Sequence, residues 1–433
     1  MSAAGLESAL LSVLRWLWAT PPLADPAVEA RARELLLDTI GCAIAGSAEP
    51  KVAALWAQIA RVDPGGAGLP GTPHALSASG FARAFAAAAC WHEACEGLAS
   101  AHGRPGLHAI PAVLGPAMAL GASLGSVLDT VVAGYEIGGR LGAVCRIRPG
   151  MHVDGTWGSF GAAAAASRLL GASPEVALAA LNHAACHLPF SLYFPIAAGS
   201  TARNAYPGHG AAHGLASALA SQAGLSGPPG SIGEFLRLAL DLRAAEVAPA
   251  GRILLLEGYL KPYPAVRHVH YGALAAEAWR ETEPDRITGI TLDIYEEAVT
   301  YCGNRAPATA IQAQFSLSYG VARTLAHGRL DPAAYTAAAL ADPLVRRLEA
   351  MVALRPDPAA EGRSCTLAVT TADGTWRRAV DRVPGDPGFP MTRPEVLSKF
   401  LAYAAPVIGR AHAATIAARL LDGGLDAPLD LRA

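Results

Sequence analysis

Apolar residues recur every three to four positions over residues 6–18, 27–47, 76–95, 110–124, 126–145, 158–170, 174–185 and 209–223, and Gly, Pro and Ser separate these stretches. That spacing predicts a succession of helices rather than strands. Runs such as "GAAAAAS" and "GLASALASQA" give helix faces small enough for close approach. Near residue 252 the pattern changes. "ITLDIY" (290–295) alternates with period two, and "CTLAVTTADGTWRRAV" (365–380) reads as two strands around an Asp-Gly turn. Helical segments are expected at about 307–327 and 331–350. The segment beginning "RPEVLSKFLAYAA" returns to helix. The expectation is a mainly α protein. A large all-helical domain comprises residues 1–252 and 396–433, and a smaller α+β lid domain comprises 253–395.

Composition narrows the partners. The 433 residues are 52% hydrophobic and 16% charged, with a formal net charge of −2. Nothing here favours a nucleic acid or an anionic membrane. So little charged surface points to an oligomer. "MSAAGLESALLSVLRWLWAT" lacks a basic start and reads as an amphipathic helix, not a signal peptide. "AIPAVLGPAMALGASLGSVL" (109–128) has no charge, yet its Pro, Gly and Ala make it a close-packed buried helix rather than a membrane span. Seven Cys without a CxxC predict free thiols in a reducing cytoplasm.

Four segments concentrate chemistry. "WHEACEGLASAHGRPGLHA" (91–109) carries three His, two Glu and an Arg. "RIRPGMHVDGTWGSFG" (146–161) sets His152 and Asp154 in a loop before a Gly/Ala-rich helix, and "STARNAYPGHGAAHG" (200–214) carries Arg203 and Tyr206 at a helix start. "KPYPAVRHVH" (261–270) packs Lys261, Arg267 and two His between and after two Pro. No nucleotide-binding or zinc-protease motif is present, and no His spacing supports a metal site, so neither cofactor nor metal is expected. Cations and His together suit a small anionic carboxylate. Arg clamps a carboxylate, His moves protons near neutral pH, and fixed cations stabilise the charge that builds when a proton leaves the adjacent carbon.

In order along the chain, these segments resemble the MmgE/PrpD family, which includes 2-methylcitrate dehydratase, cis-aconitate decarboxylase and iminodisuccinate epimerase. The resemblance rests on "LLLDTIGCAIAGS", "RPGLHAIPAVLGPAMALG", "GYEIGGRL", "GMHVDGTWGSFGAAAAASRLLG", "ARNAYPGHGAAHGLASALASQAGLSGP", "LKPYPAVRHVHYGALAA" and "AQFSLSYGVA". It implies a helical domain with a smaller α+β lid, a homodimer, no cofactor and a site between the domains. Lys261 matches the family's lid lysine and His152 its Gly-Phe-His histidine. Arg203 stands where the dehydratases and decarboxylase have a lysine, and Arg104 where they have the His of His-Pro-Gly. Glu96 stands in for an aspartate of the acidic stretch, and His102 for the displaced histidine.

The resulting expectation is a cofactor-independent lyase, of dehydratase or decarboxylase type, acting on a small carboxylated metabolite. Lys261 and His152 are expected to handle protons, with His102 and Tyr206 as further catalytic candidates. Arg203, Arg104, Glu96 and Arg267 are expected to bind substrate. The alternatives are an epimerase or isomerase of a small di- or tricarboxylate and a catalytically inactive binding homologue.

Overall fold

The computed structural model describes residues 3–242, 246–279, 283–360 and 362–431. Eight helices open the chain: α1 (Ala3–Ala19), α2 (Pro26–Ser47), α3 (Pro50–Val62), α4 (Ala78–Cys90), α5 (Gly106–Leu120), α6 (Leu124–Val144), α7 (Gly158–Leu169) and α8 (Pro174–Ala185). Helices Tyr206–Gln222 and Ser231–Leu240 follow. Side chains cap several starts: Asp25 accepts from Ala27 N, Ser77 from Gly80 N, Ser123 from Ser126 N and Ser173 from Val176 N. The helices α3 and Ser231–Leu240 lie outside the apolar stretches picked out above; both are short and half exposed. No helix among the described residues is long and apolar enough to cross a membrane, and the uncharged 109–128 stretch splits between α5 and α6 at Gly121.

α7 is the centre of the helical core. Its residues Gly158–Ser167 are all buried, and it packs against α5, α6, α8 and the helix Tyr206–Gln222. Glycine decides how close α6 and α7 come: a Cβ on Gly161 would lie 2.7 Å from the Gly134 carbonyl oxygen and 3.0 Å from Gly138 Cα. Two short strand pairs border this core. β1 (Pro64–Gly68) pairs with β2 (Ala75–Leu76), and β3 (Met151–His152) pairs antiparallel with β4 (Ser191–Leu192).

A second apolar core runs from Tyr263 to Val383, joined by Ile196, while Leu254, Leu255 and Leu260 still belong to the first. Its sheet holds β5 (Gly289–Tyr295), β6 (Val352–Asp357), β7 (Cys365–Thr371) and β8 (Gly374–Val380) in the order β6-β5-β7-β8. β5 pairs parallel with β6 and antiparallel with β7, and β7–β8 is the hairpin that the Asp-Gly pair predicts. β6 was hidden because "VALRPD" follows directly on helix Pro343–Met351 and carries Pro356, which only an edge strand tolerates. The expected helix at 331–350 is broken by Pro332 and Pro343 into a 3₁₀ turn and two short helices. The stretch 307–327 breaks at Phe315, where Ser316 caps the helix Leu317–His327 by accepting from Tyr319 N at 3.2 Å.

The last helices, Arg393–Ile408 and Arg410–Asp422, return to the first core against α2. The return is fastened by a buried ion pair: Lys399 Nζ lies 2.6 Å from Asp38 Oδ1 and donates to the Ala94 carbonyl at 2.6 Å.

Two outcomes follow from this packing. Gly161→Ala is expected to cost about 1–3 kcal/mol through overpacking, read as a lower denaturation midpoint. Lys399→Met leaves Asp38 buried without its cation and is expected to cost about 3–5 kcal/mol, while Lys399→Met with Asp38→Leu recovers most of the loss. A single Lys399→Met variant as stable as the parent in urea unfolding would refute the second.

Candidate functional site

The site begins where α4 stops. The chain turns through Trp91 and His92, and Glu93 takes a left-handed backbone (φ 53), its N–H donating to the Cys90 carbonyl at 3.1 Å. A non-glycine residue held there is a strained placement, and such residues cluster at functional sites. Lys399 holds the next carbonyl, Ala94.

A second segment is brought alongside by buried polar fasteners. The Glu136–Arg140 pair on one turn of α6 accepts the Leu254 and Leu255 N–H groups and donates to the carbonyls of Ala248, Pro249 and Arg252. Arg31 donates to the Gly258 carbonyl at 2.7 Å, and Tyr259 exchanges two backbone hydrogen bonds with Gly97. Leu260 sits in the helical core. Lys261 is therefore anchored from the helical side before the chain enters the lid, rather than hanging from the lid.

Glu93 is where these segments meet. Lys261 Nζ donates to Glu93 Oε1 at 2.7 Å and to its carbonyl at 3.0 Å. Arg104 Nη1 donates to Oε2 at 3.1 Å, and Arg203 Nη2 makes a very short contact with the same oxygen. Burial alone raises a carboxyl's pKa, but Arg104, Arg203 and Lys261 together hold that of Glu93 well below the usual range. Arg104 also forks onto Asp154, whose carboxyl, raised by burial, is pulled low by Arg104, His152 and Arg203. Terminal nitrogens of these arginines also reach Cys90, Cys95 and Asn204, while Arg203 Nε is buried without a hydrogen-bond partner among the described residues; the Arg203 guanidinium lies 5.2 Å from the Phe315 ring centroid.

The histidines divide by their hydrogen bonds. His108 donates from Nδ1 to the Arg104 carbonyl and accepts from Gly155 N–H at Nε2, both at 2.9 Å. Both nitrogens are engaged, so it braces the Arg104 and Asp154 loops. His152 accepts the Asp154 N–H at Nδ1, 3.1 Å. Burial pushes its pKa down to about 4, so it is neutral at pH 7 with its proton on Nε2. His102 also has a left-handed backbone (φ 53), and burial and then the charge of Arg146 lower its pKa. Among the described residues its ring makes no hydrogen bond.

One cavity of about 330 Å³ joins these groups. His102, Arg104, His152, Arg203, Lys261 and Arg267 all line it. Arg267, however, is tied into the lid, donating to Val383 and Pro384 carbonyls and pairing with Asp386. Two expected residues stand off the lining. Tyr206 directs its hydroxyl to the Leu192 carbonyl at 3.2 Å and is only a neighbour of the His152 ring, 6.0 Å away. Glu96 is buried under Leu107 N–H and Tyr135 OH, and burial raises its pKa to about 8. The acidic partner in the cavity is Glu93 instead, three residues earlier. Also lining it, and missed from sequence, are Arg146, Tyr193, Glu297, Tyr301 and Arg363. His268, within "KPYPAVRHVH", lines it too, with Nδ1 2.5 Å from the Tyr295 hydroxyl and its pKa pushed by burial to about 3. Among the described residues no cluster of three or more His, Cys, Asp or Glu is arranged to hold a metal ion.

Comparison with known proteins agrees with this layout. The MmgE/PrpD N-terminal domain matches residues 19–234, and the MmgE/PrpD C-terminal domain matches 263–423. The second match overlaps the lid core and also takes in the two helices that return to the helical core. The chain is similar to cis-aconitate decarboxylase of Mus musculus, 28% identical over 344 residues that cover 71% of this chain and 68% of the mouse protein. With both domain matches in order and two apolar cores enclosing one cationic cavity, the chain belongs to the MmgE/PrpD family.

Proposed function

We propose that this protein is a lyase that removes water or carbon dioxide from a small di- or tricarboxylic acid by proton transfer beside a carboxylate, with no cofactor. The observation that carries this reading is the cavity's mix of fixed cations with a neutral, proton-bearing His152 and a hydrogen-bond-free His102. Family membership and the similarity to a decarboxylase support a lyase of this type.

The residues divide the work as follows. Lys261 has three N–H groups, of which two engage Glu93, leaving one to meet a substrate oxygen. His152 offers Nε2–H. Its Nδ1 lone pair is already taken, so its role is to donate a hydrogen bond, not to remove a proton as the sequence suggested. Charge building on the substrate carboxylate is stabilised by these two donors without reorganisation. His102 is the proton acceptor. In elimination, the C–H proton passes to His102, the carbon–oxygen bond breaks, and the hydroxyl leaves as water with a proton from the Lys261 ammonium. In decarboxylation, carbon dioxide departs, its bonding pair stays on the substrate carbon, and Lys261 supplies the proton there.

Turnover is to be screened on di- and tricarboxylates. His102→Gln is expected to lower kcat by about 10²–10⁴-fold with KM little changed. An unchanged kcat would remove His102 from the mechanism. Exchange of substrate hydrogen for solvent deuterium without net product would mark an epimerase instead.

The pH dependence has a defined sign. The free-enzyme pKa of His102 lies below the ordinary 6.5, so kcat/KM should fall on the acid side only below that value. His152 adds no limb until about pH 4. An acid limb centred above 6.5 in the pH–rate profile would contradict both assignments.

A further inference from the structure

Six cationic side chains line the cavity (Arg104, Arg146, Arg203, Lys261, Arg267 and Arg363) against three carboxylates (Glu93, Asp154 and Glu297). They are not equally free to meet a ligand. Every nitrogen of Arg104 is engaged within the protein. Arg203 and Lys261 are bound to Glu93, and Arg267 to the lid chain and Asp386. A ligand carboxylate can take the full forks of these arginines only by displacing Glu93, Asp154 or Asp386. For the first two that would leave a buried charge uncompensated.

Two cations differ. Arg146, just after α6, is exposed and lines the cavity; its backbone N–H donates to the Val144 carbonyl, but its side chain has no hydrogen bond and no carboxylate in ion-pair range among the described residues. Arg363, on the lid just before β7, has a side chain only 24% exposed. Its sole ion pair among the described residues is Glu297 at 3.8 Å, too long for a hydrogen bond. A largely buried guanidinium with its donor fork unmet is poorly compensated, and a carboxylate is the planar acceptor that meets the fork bidentately. The two belong to one field, since both lower the pKa of His102.

We infer that Arg363 and Arg146 are the carboxylate-reading residues of this cavity, gripping two different carboxylates of one substrate from the lid and from the helical domain, with Glu297 as the local competitor for Arg363. The inference rests on the reading that the occupant is a small polycarboxylic acid. It departs from the sequence expectation that Arg104 and Arg203 are the clamp. Those two instead set the position and charge of Glu93 and Asp154. A ligand held from both sides bridges the domains, so a dicarboxylate binds much better than a monocarboxylate of equal length.

The test is calorimetric titration of the full chain with tricarballylate, glutarate and valerate. Arg363→Gln and Arg146→Gln are each expected to raise the Kd for tricarballylate about tenfold or more. Arg363→Lys should recover only part of the loss, because an ammonium cannot form the fork. Glu297→Gln should tighten binding, an opposite sign that a merely damaged fold would not produce. The exposed Arg148→Gln, two residues from Arg146, is the control for general surface charge and should leave Kd unchanged. Kd within twofold of the parent for Arg363→Gln, or no binding of any of the three acids to the parent, overturns the inference. Failure of the lyase reading looks different: the acids bind and Arg363→Gln abolishes binding, yet no carboxylic acid is turned over. Turnover with KM unaffected by either arginine variant refutes the inference and leaves the lyase reading intact.

Discussion

The arrangement depends on a single buried carboxylate, Glu93, shared by Lys261, Arg104 and Arg203. Each cation comes from a different part of the chain: the turn before α5, the 3₁₀ turn Thr201–Ala205 that leads into helix Tyr206–Gln222, and the crossover into the lid. None of the three can be buried without a counter-charge, because the desolvation of an unpaired ion costs several kcal/mol. Glu93 therefore determines where three segments end up, and it does so from a strained left-handed backbone that the surrounding hydrogen bonds enforce. Asp154 adds a second counter-charge on the far side of Arg104.

The same constraint separates support from chemistry. A group locked into Glu93 or Asp154 is fixed in place and has few open valences. What remains available is the third N–H of Lys261, the Nε2–H of His152, the unengaged ring of His102, and the cations Arg146 and Arg363. The low pKa values of His152 and His268 come chiefly from burial, which the Asp154 carboxylate partly offsets at His152 and the charges of Arg363 and Lys261 reinforce at His268, so both stay neutral where a proton-bearing but uncharged imidazole is useful.

How much of this was legible in the sequence depends on the scale of the pattern. Long apolar periodicities exposed α2, α6 and α7, and strict alternation exposed β5 and the β7–β8 hairpin. The change of texture near residue 252 marked the approach to a second core, although Leu254–Leu260 still pack in the first because Glu136, Arg140 and Arg31 staple that stretch from outside it. β6 was not legible because its pairing with β5 is parallel and non-local. At the site, the family-like motifs pointed to Lys261, His152, Arg104 and Arg203, all on the cavity. They pointed to Glu96 instead of Glu93 because both are Glu in one short run, and only the backbone turn after Cys90 decides which one faces the arginines. Arg146 and Arg363 carry no motif at all. Their exposure to the cavity comes from tertiary placement of a loop and a strand entry.

The sequence resemblance sets Arg104 where relatives carry a histidine and Arg203 where they carry a lysine, and an arginine at both positions has a common physical sense. A histidine at position 104 or a lysine at 203 can lose its charge, and a carboxylate buried against it then loses its partner over part of the pH range. Arginine stays protonated throughout, so Glu93 and Asp154 keep their counter-ions at every pH at which the fold exists. The consequence is that neither position can exchange a proton with a ligand, and the task falls to side chains outside the ion cluster. His102, two residues from Arg104 and exposed at the cavity, is an imidazole whose ring makes no hydrogen bond among the described residues. A permanently charged support thus leaves proton exchange with a ligand to imidazoles outside the ion cluster, and the proposed role of His102 rests on that separation.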